Sequence, residues 1–101
     1  MSHEVQQLDQ AVIGTLRSMA RQGRSPSAMV RELKRRLGMK THVVSLLNYF
    51  REAFCLTLAD AKPIAALTRN EQREIEDETL LDKLLLPAIL NHRMDWDGGE
   101  Q

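Results

Sequence analysis

Ser25-Pro26-Ser27-Ala28-Met29-Val30-Arg31-Glu32-Leu33-Lys34-Arg35-Arg36-Leu37-Gly38 contains a start, a period and a stop, and its reading decides the fold class. Ser25 is a side-chain acceptor suited to the free N–H groups of a helix start, and Pro26 fits a first helical position that needs no donor. Met29, Val30, Leu33 and Leu37 then recur at steps of three and four, the period of one helix face. Gly38 supplies the left-handed conformation that ends helices. The stretch predicts a helix over residues 26 to 37.

The same grammar extends in both directions. Toward the N-terminus, Val5, Leu8, Val12, Leu16 and Met19 form a stripe widened by Ile13 and Ala20, which predicts a helix over residues 4 to 22 ended by Gly23. Toward the C-terminus, Thr41 is a candidate cap for a third helix, residues 42 to 55, with Val43, Val44, Leu47, Phe50 and Phe54 on its stripe. Thr57 and Asp60 resemble a capping box, with the shorter aspartate in the usual place of glutamate, opening a helix over residues 58 to 66 that Pro63 is expected to stop or bend. Residues 77 to 95 carry Leu81, Leu84, Leu85, Ala88 and Ile89 at helical spacing, and Pro87 is expected to kink or split that helix.

Nowhere do apolar and polar residues alternate as in a half-buried strand, and no Asn-Gly or Asp-Gly hairpin signal joins two β-rich runs. The expected fold is therefore all-α: a small orthogonal bundle of four to five helices. Residues 1 to 96 form one domain and 97 to 101 a flexible tail. The expected core is Leu16, Leu33, Leu37, Val44, Leu47, Phe50, Phe54, Leu81, Leu84 and Ile89.

A chain of 101 residues is too short for two well-buried cores. Its 43% hydrophobic and 28% charged residues are ordinary globular proportions, which argues against disorder of the whole chain. The longest apolar run, Leu84 to Leu90, contains Pro87 and falls far short of the roughly 20 residues that span a bilayer. The first residues lack the basic stretch and apolar core of a secretory signal. Cys55, the single cysteine, allows no internal disulfide and fits a reducing compartment, so the cytoplasm is expected. Net charge is zero, but residues 1 to 62 hold ten Lys/Arg against five Asp/Glu, and residues 63 to 101 four against nine. The two halves either attract each other or offer partners two different surfaces.

Residues that carry chemistry are scattered. His3, His42 and His92 lie on different elements without a second histidine or cysteine at metal-ligand spacing, so no metal site is expected. Cys55, beside Phe54 and Leu56, reads as a small buried hydrophobe rather than a nucleophile. Gly14, Gly23 and Gly38 make no phosphate-binding loop, so no cofactor is expected. No pair of carboxylates is set apart in the manner of an acid–base couple. The chain reads as a non-enzyme with no catalytic residue.

Two regions suggest binding. Residues 24 to 54 fit a helix-turn-helix, with Leu33, Leu37, Met39, Val44 and Leu47 around Gly38 and with Arg31, Lys34, Arg35, Arg36 and Lys40 available for phosphates. Lys34 stands where such units need alanine or glycine, and Thr41-His42-Val43-Val44-Ser45 offers few donors for base edges. A solvated basic face is the plainer reading. The second region is acidic: Glu71, Glu74, Glu76, Asp77, Glu78 and Asp82, at the start of the last helix. Carboxylates there suit the positive end of the helix dipole. They would also steer a basic partner.

Phe50-Arg51-Glu52-Ala53-Phe54-Cys55-Leu56-Thr57-Leu58-Ala59-Asp60-Ala61-Lys62 locally resembles the helical hairpin of the bacterial ribosomal stalk protein's C-terminal domain. That family has Thr-Gly in place of Phe54-Cys55 and no proline at Pro63, so the likeness implies the turn and not the factor-binding function. Over a longer span, Asn48 to Phe54 with Leu56-Thr57-Leu58, Leu84 to Ile89 and Trp96 is similar to small bacterial helical proteins of the toxin-immunity type. That resemblance implies a protein-binding module, of immunity or antitoxin type, that binds a toxin domain and blocks it; a monomer or weak dimer is expected. The six carboxylates from Glu71 to Asp82 are its expected binding residues. The alternative is a DNA-binding transcriptional regulator of the helix-turn-helix kind.

Overall fold

The second helix shows how fully this chain settles its own backbone. The computed structural model describes residues 8–38, 42–67 and 77–97. Within it α2 runs Pro26–Leu37, the predicted span. Its four N-terminal positions are all accounted for. Pro26 has no N–H, and the Asp82 carboxylate accepts the Ser27 N–H at 2.8 Å. Ser25 Oγ accepts the Ala28 N–H at 3.2 Å, and the Ser25 carbonyl accepts from Met29 at 3.1 Å. A buried helix end left without such partners would be costly.

The first helix, α1, spans Gln10–Arg21 rather than starting near residue 4; residues 1 to 7, including Val5, lie outside the described residues. Asp9 sets the boundary. Its carboxylate accepts the Ala11 N–H at 2.9 Å, while its own N–H donates to the Tyr49 hydroxyl at 2.8 Å. At the other end Gly23, at φ +80°, lets the Gly23 N–H reach the Ala20 carbonyl and the Arg24 N–H reach the Met19 carbonyl. Those two bonds close the helix in the Schellman manner.

Helix α3 is Val43–Phe54. Its cap position is held by His42 without a side-chain cap bond, and Thr41, the expected cap, lies outside the described residues. The far end is closed by Cys55 at φ 57°, a left-handed position where glycine is usual. Arg17 of α1 supplies further donors there, from Nε to the Ala53 carbonyl at 2.7 Å and from Nη2 to that of Glu52 at 3.3 Å. The capping box holds: the Asp60 N–H donates to Thr57 Oγ1 at 3.1 Å, and the Thr57 N–H donates to the Asp60 carboxylate at 3.3 Å.

Neither internal proline stops or splits its helix. Pro63 lies inside α4 (Leu58–Leu67), and Pro87 lies inside α5 (Glu78–Asn91). Each removes one bond to the carbonyl four residues back, on Ala59 and Lys83, and both of those residues are exposed. The predicted last helix divides at His92, followed by the single turn α6 (Arg93–Trp96).

Among the described residues there are six helices and no strand, an all-α bundle as expected, with α6 the extra element. Phe50 and Phe54 form the centre, both fully buried, with ring centroids 5.9 Å apart. Leu16, Leu33, Leu81 and Ile89 surround them as predicted, joined by Leu46, Ile64 and Leu85. Leu37 and Leu47 are only partly buried at the edge. Trp96 packs edge-on against Phe54 at 5.1 Å, and its indole N–H donates to the Ile89 carbonyl at 2.9 Å. Helix α3 packs on α4 and α1, while α2 packs on α5 and α1 and meets α3 at most marginally.

Two expected core residues are on the surface: Val44 is 58% exposed and Leu84 48%. On α3 the inward side is Leu46, Tyr49, Phe50, Ala53 and Phe54, and Val44 lies two residues before it, on the far side of the helix. On α5 the inward residues are Leu81, Leu85 and Ile89, and Leu84 lies one step round the axis.

Candidate protein-binding surface

The six carboxylates singled out from the sequence divide into two groups. Glu71, Glu74 and Glu76 lie outside the described residues. Asp77, Glu78 and Asp82 are described, and each is engaged within the chain. Asp77 caps α5, accepting the Leu80 N–H at 3.0 Å. Glu78 pairs with Arg31 at 2.5 Å, both side chains about half exposed. Asp82 accepts from the Ser27 N–H and, at 3.1 Å, from its hydroxyl. Asp82 is thus a structural residue, whereas Asp77 and Glu78 stay open to solvent at the rim.

These contacts bear on the opposed charge of the two halves. Arg31 with Glu78 and Ser27 with Asp82 join α2 to α5, so part of the acidic half is spent on the basic half. Along α2 itself, Arg35 and Arg36 both bind Glu32, at 2.6 Å and 2.7 Å. Hydrogen bonds from Arg35 and then Arg36 hold the Glu32 carboxyl down at about 2. The basic face offers phosphates less than its sequence suggests. Val44, counted among the buried positions of a helix-turn-helix, is exposed.

His92 stands at the corner between α5 and α6. Its Nε2 lies 3.1 Å from the Asp60 carboxylate and its Nδ1 lies 3.3 Å from that of Asp95. Hydrogen bonding to Asp95 first, then to Asp60, raises its pKa above the ordinary value. Among the described residues no three His, Cys, Asp or Glu side chains converge as metal ligands. Cys55 is exposed rather than buried, because the left-handed turn that ends α3 swings it off the helix face.

The feature that sequence reading missed is apolar. Leu80, Leu84, Leu86 and Leu90 on α5 and Met94 on α6 are all exposed, Met94 at 83%. Beside Leu84, the outer side of α4 adds Ala59, Lys62, Pro63 and Ala66, and together they line an open groove of about 550 Å³. Helices α4 and α5 carry apolar residues on more than one side, so each buries one side in the bundle and leaves another exposed. The signal was present in Leu84-Leu85-Leu86-Pro87-Ala88-Ile89-Leu90, which holds more large apolar residues than one helix face can bury.

The fold and this surface define a small all-α bundle with an unfilled apolar side. No family model, curated protein or solved structure matches the chain. No helix of the described residues is long and apolar enough to cross a membrane.

Proposed function

We propose that this chain is a protein-binding module that acts by association, with the groove between α4 and α5 as its principal contact. The observation that carries the reading is the apolar lining of exposed Ala59, Ala66 and Leu84 with half-buried Pro63. Scattered apolar residues on a surface mean little, but a contiguous apolar groove with a charged rim is the composition of an interface centre. Lys62 stands on the groove, and the acidic run of Glu71, Glu74, Glu76, Asp77 and Glu78 leads into α5. In this reading those carboxylates steer a basic partner toward the surface, raising the rate of encounter more than the final affinity.

The specific form that follows the sequence resemblance is an immunity or antitoxin protein whose partner is a toxin domain, blocked by occupation of its working surface. The test has two stages. The protein and its co-purifying partner are identified from native cells by mass spectrometry, and the pair is reconstituted from purified components. Ala66→Glu, which sets a carboxylate in the groove at an exposed position, should then abolish or strongly weaken binding while leaving the helical circular dichroism unchanged. Wild-type affinity in Ala66→Glu would remove the groove as the contact. Co-expression with the partner tests the toxin form: growth arrest by the partner alone, relieved by this chain, is the expected result.

A further inference from the structure

We infer that α6 is a pH-controlled latch: a protonated His92 ties it down over the aromatic centre, and a neutral His92 lets it open more often while the rest of the bundle stays folded.

His92 caps the end of α5 and precedes α6, so its backbone is the corner itself. Its ring bridges two other segments across that corner. Nε2 lies 3.1 Å from the Asp60 carboxylate of α4, and Nδ1 lies 3.3 Å from that of Asp95 on α6. A carboxylate only accepts, and a neutral imidazole has a single N–H, so only the imidazolium donates to both. Loss of the proton leaves a ring lone pair aimed at one carboxylate, and one of the two ties is lost. The Thr57 N–H also holds the Asp60 carboxylate, at 3.3 Å, whereas Asp95 is 62% exposed on its single turn. The α6 side of the bridge is the one that gives way.

The charges facing the ring from its neighbours are few. Asp60 faces it from α4 and Asp95 from α6, and these two raise its pKa. Arg93 of α6 and Arg21 of α1 both bind Asp97, at 3.1 Å and 2.7 Å. From α3 the contact with α6 is the uncharged pair of Phe54 and Trp96.

A single turn is too short to hold as a helix by itself. Besides His92, α6 is kept in place by Trp96, which is buried on Phe54 and donates its indole N–H to the Ile89 carbonyl at 2.9 Å, and by the partly exposed pair of Arg21 and Asp97. Its opening would bare Phe54 and leave α1 to α5 packed on one another, the kind of small unit that opens locally. The docked state raises the proton affinity of His92, and the open state returns it to the ordinary value of about 6.5. Docking is therefore strongest below that value and weakens as pH rises through the raised one. For ties this exposed the weakening should be roughly two- to tenfold. None of the groove residues Ala59, Pro63, Ala66 or Leu84 takes part, and Ala66→Glu should leave the latch unchanged.

Hydrogen exchange of the full chain, followed by NMR and divided by the intrinsic rate at each pH, tests the latch. The Trp96 indole N–H, and the Asp95 and Trp96 backbone N–H groups that bond to the His92 carbonyl, should exchange faster than the Leu33 N–H of α2. Low urea should not change their rates, the mark of local opening. Their protection should fall roughly two- to tenfold over a pH series that starts below the ordinary histidine value and ends above the raised one. His92→Gln and Asp95→Asn should each shrink that fall, the second without changing the size of the side chain. Exchange of the Trp96 indole only through global unfolding, with the urea dependence of Leu33, overturns the inference. Protection that does not change with pH also overturns it, as does a fall that Asp95→Asn leaves at full size.

Discussion

Asp82 of α5 accepts two hydrogen bonds from Ser27, from its N–H at 2.8 Å and its hydroxyl at 3.1 Å, so the first turn of α2 is capped by a residue 55 positions away. Ser27 is 4% exposed, so its N–H depends on this one carboxylate rather than on bulk solvent. Asp82→Ala should cost about 1–3 kcal/mol, the range for leaving a buried donor unpaired. Asp82→Asn, which keeps an acceptor oxygen, should cost less. Urea unfolding of the two variants checks the order; equal loss would mean that charge rather than the backbone bond matters.

Phe50 is fully buried against Phe54. Phe50→Ala should cost about 3–5 kcal/mol, close to the whole stability of a domain this small. Val44→Ala, at a position once expected in the core, should change stability by no more than about 0.5 kcal/mol. Thermal melts of the pair test the inward side assigned to α3.

Cys55 holds a left-handed conformation at φ 57° that costs a non-glycine residue roughly 1 kcal/mol. Cys55→Gly should therefore stabilise the protein by about 0.5–1 kcal/mol, with some of the gain offset by the greater freedom of glycine in the unfolded chain. In the native protein the exposed thiol should react with an aromatic disulfide reagent without prior unfolding. A thiol protected until denaturation would contradict its placement.

The corner at His92 makes stability depend on pH. Its pKa is raised in the folded protein by Asp95 and Asp60, so the charged imidazole favours folding. That contribution is fully present below the ordinary value near 6.5 and is lost as pH rises through the raised folded value. Stability should fall as pH rises above the ordinary histidine value and through the raised one, and His92→Asn should flatten that slope. Asp60 acts in the opposite sense. The Thr57 N–H first, then the Thr57 side chain and His92, hold its carboxyl below the usual range, so its contribution is present above the ordinary aspartate value and lost as pH falls through the lowered one. Denaturation curves at a series of pH values, with an NMR titration of His92, separate the two.

The boundaries of α2, and the Thr57 and Asp60 box that opens α4, were legible because a cap and the groups it satisfies lie within three or four residues of one another. The all-α class was legible for the same reason, since the helical period repeats over every long segment. Choosing the inward residues was harder where a helix is apolar on more than one side. Leu84 and Leu85 are adjacent and chemically identical, and only the position of α4 and α2 around α5 turns one outward and the other in.

The expected acidic site was legible as composition but not as geometry. Asp82 and Glu78 look like members of one solvated run, yet Asp82 is tied to Ser27 and Glu78 to Arg31, because α2 lies against α5. Likewise either proline could have stopped or split its helix, but α4 and α5 each run through one, and the last helical stretch divides at His92. Sequence by itself determined the helices, most of their ends and the aromatic centre, because these follow from local hydrogen bonding and a short period. Tertiary structure alone decided which leucines face water and which carboxylates are already taken, because both depend on what packs against a helix from elsewhere in the chain.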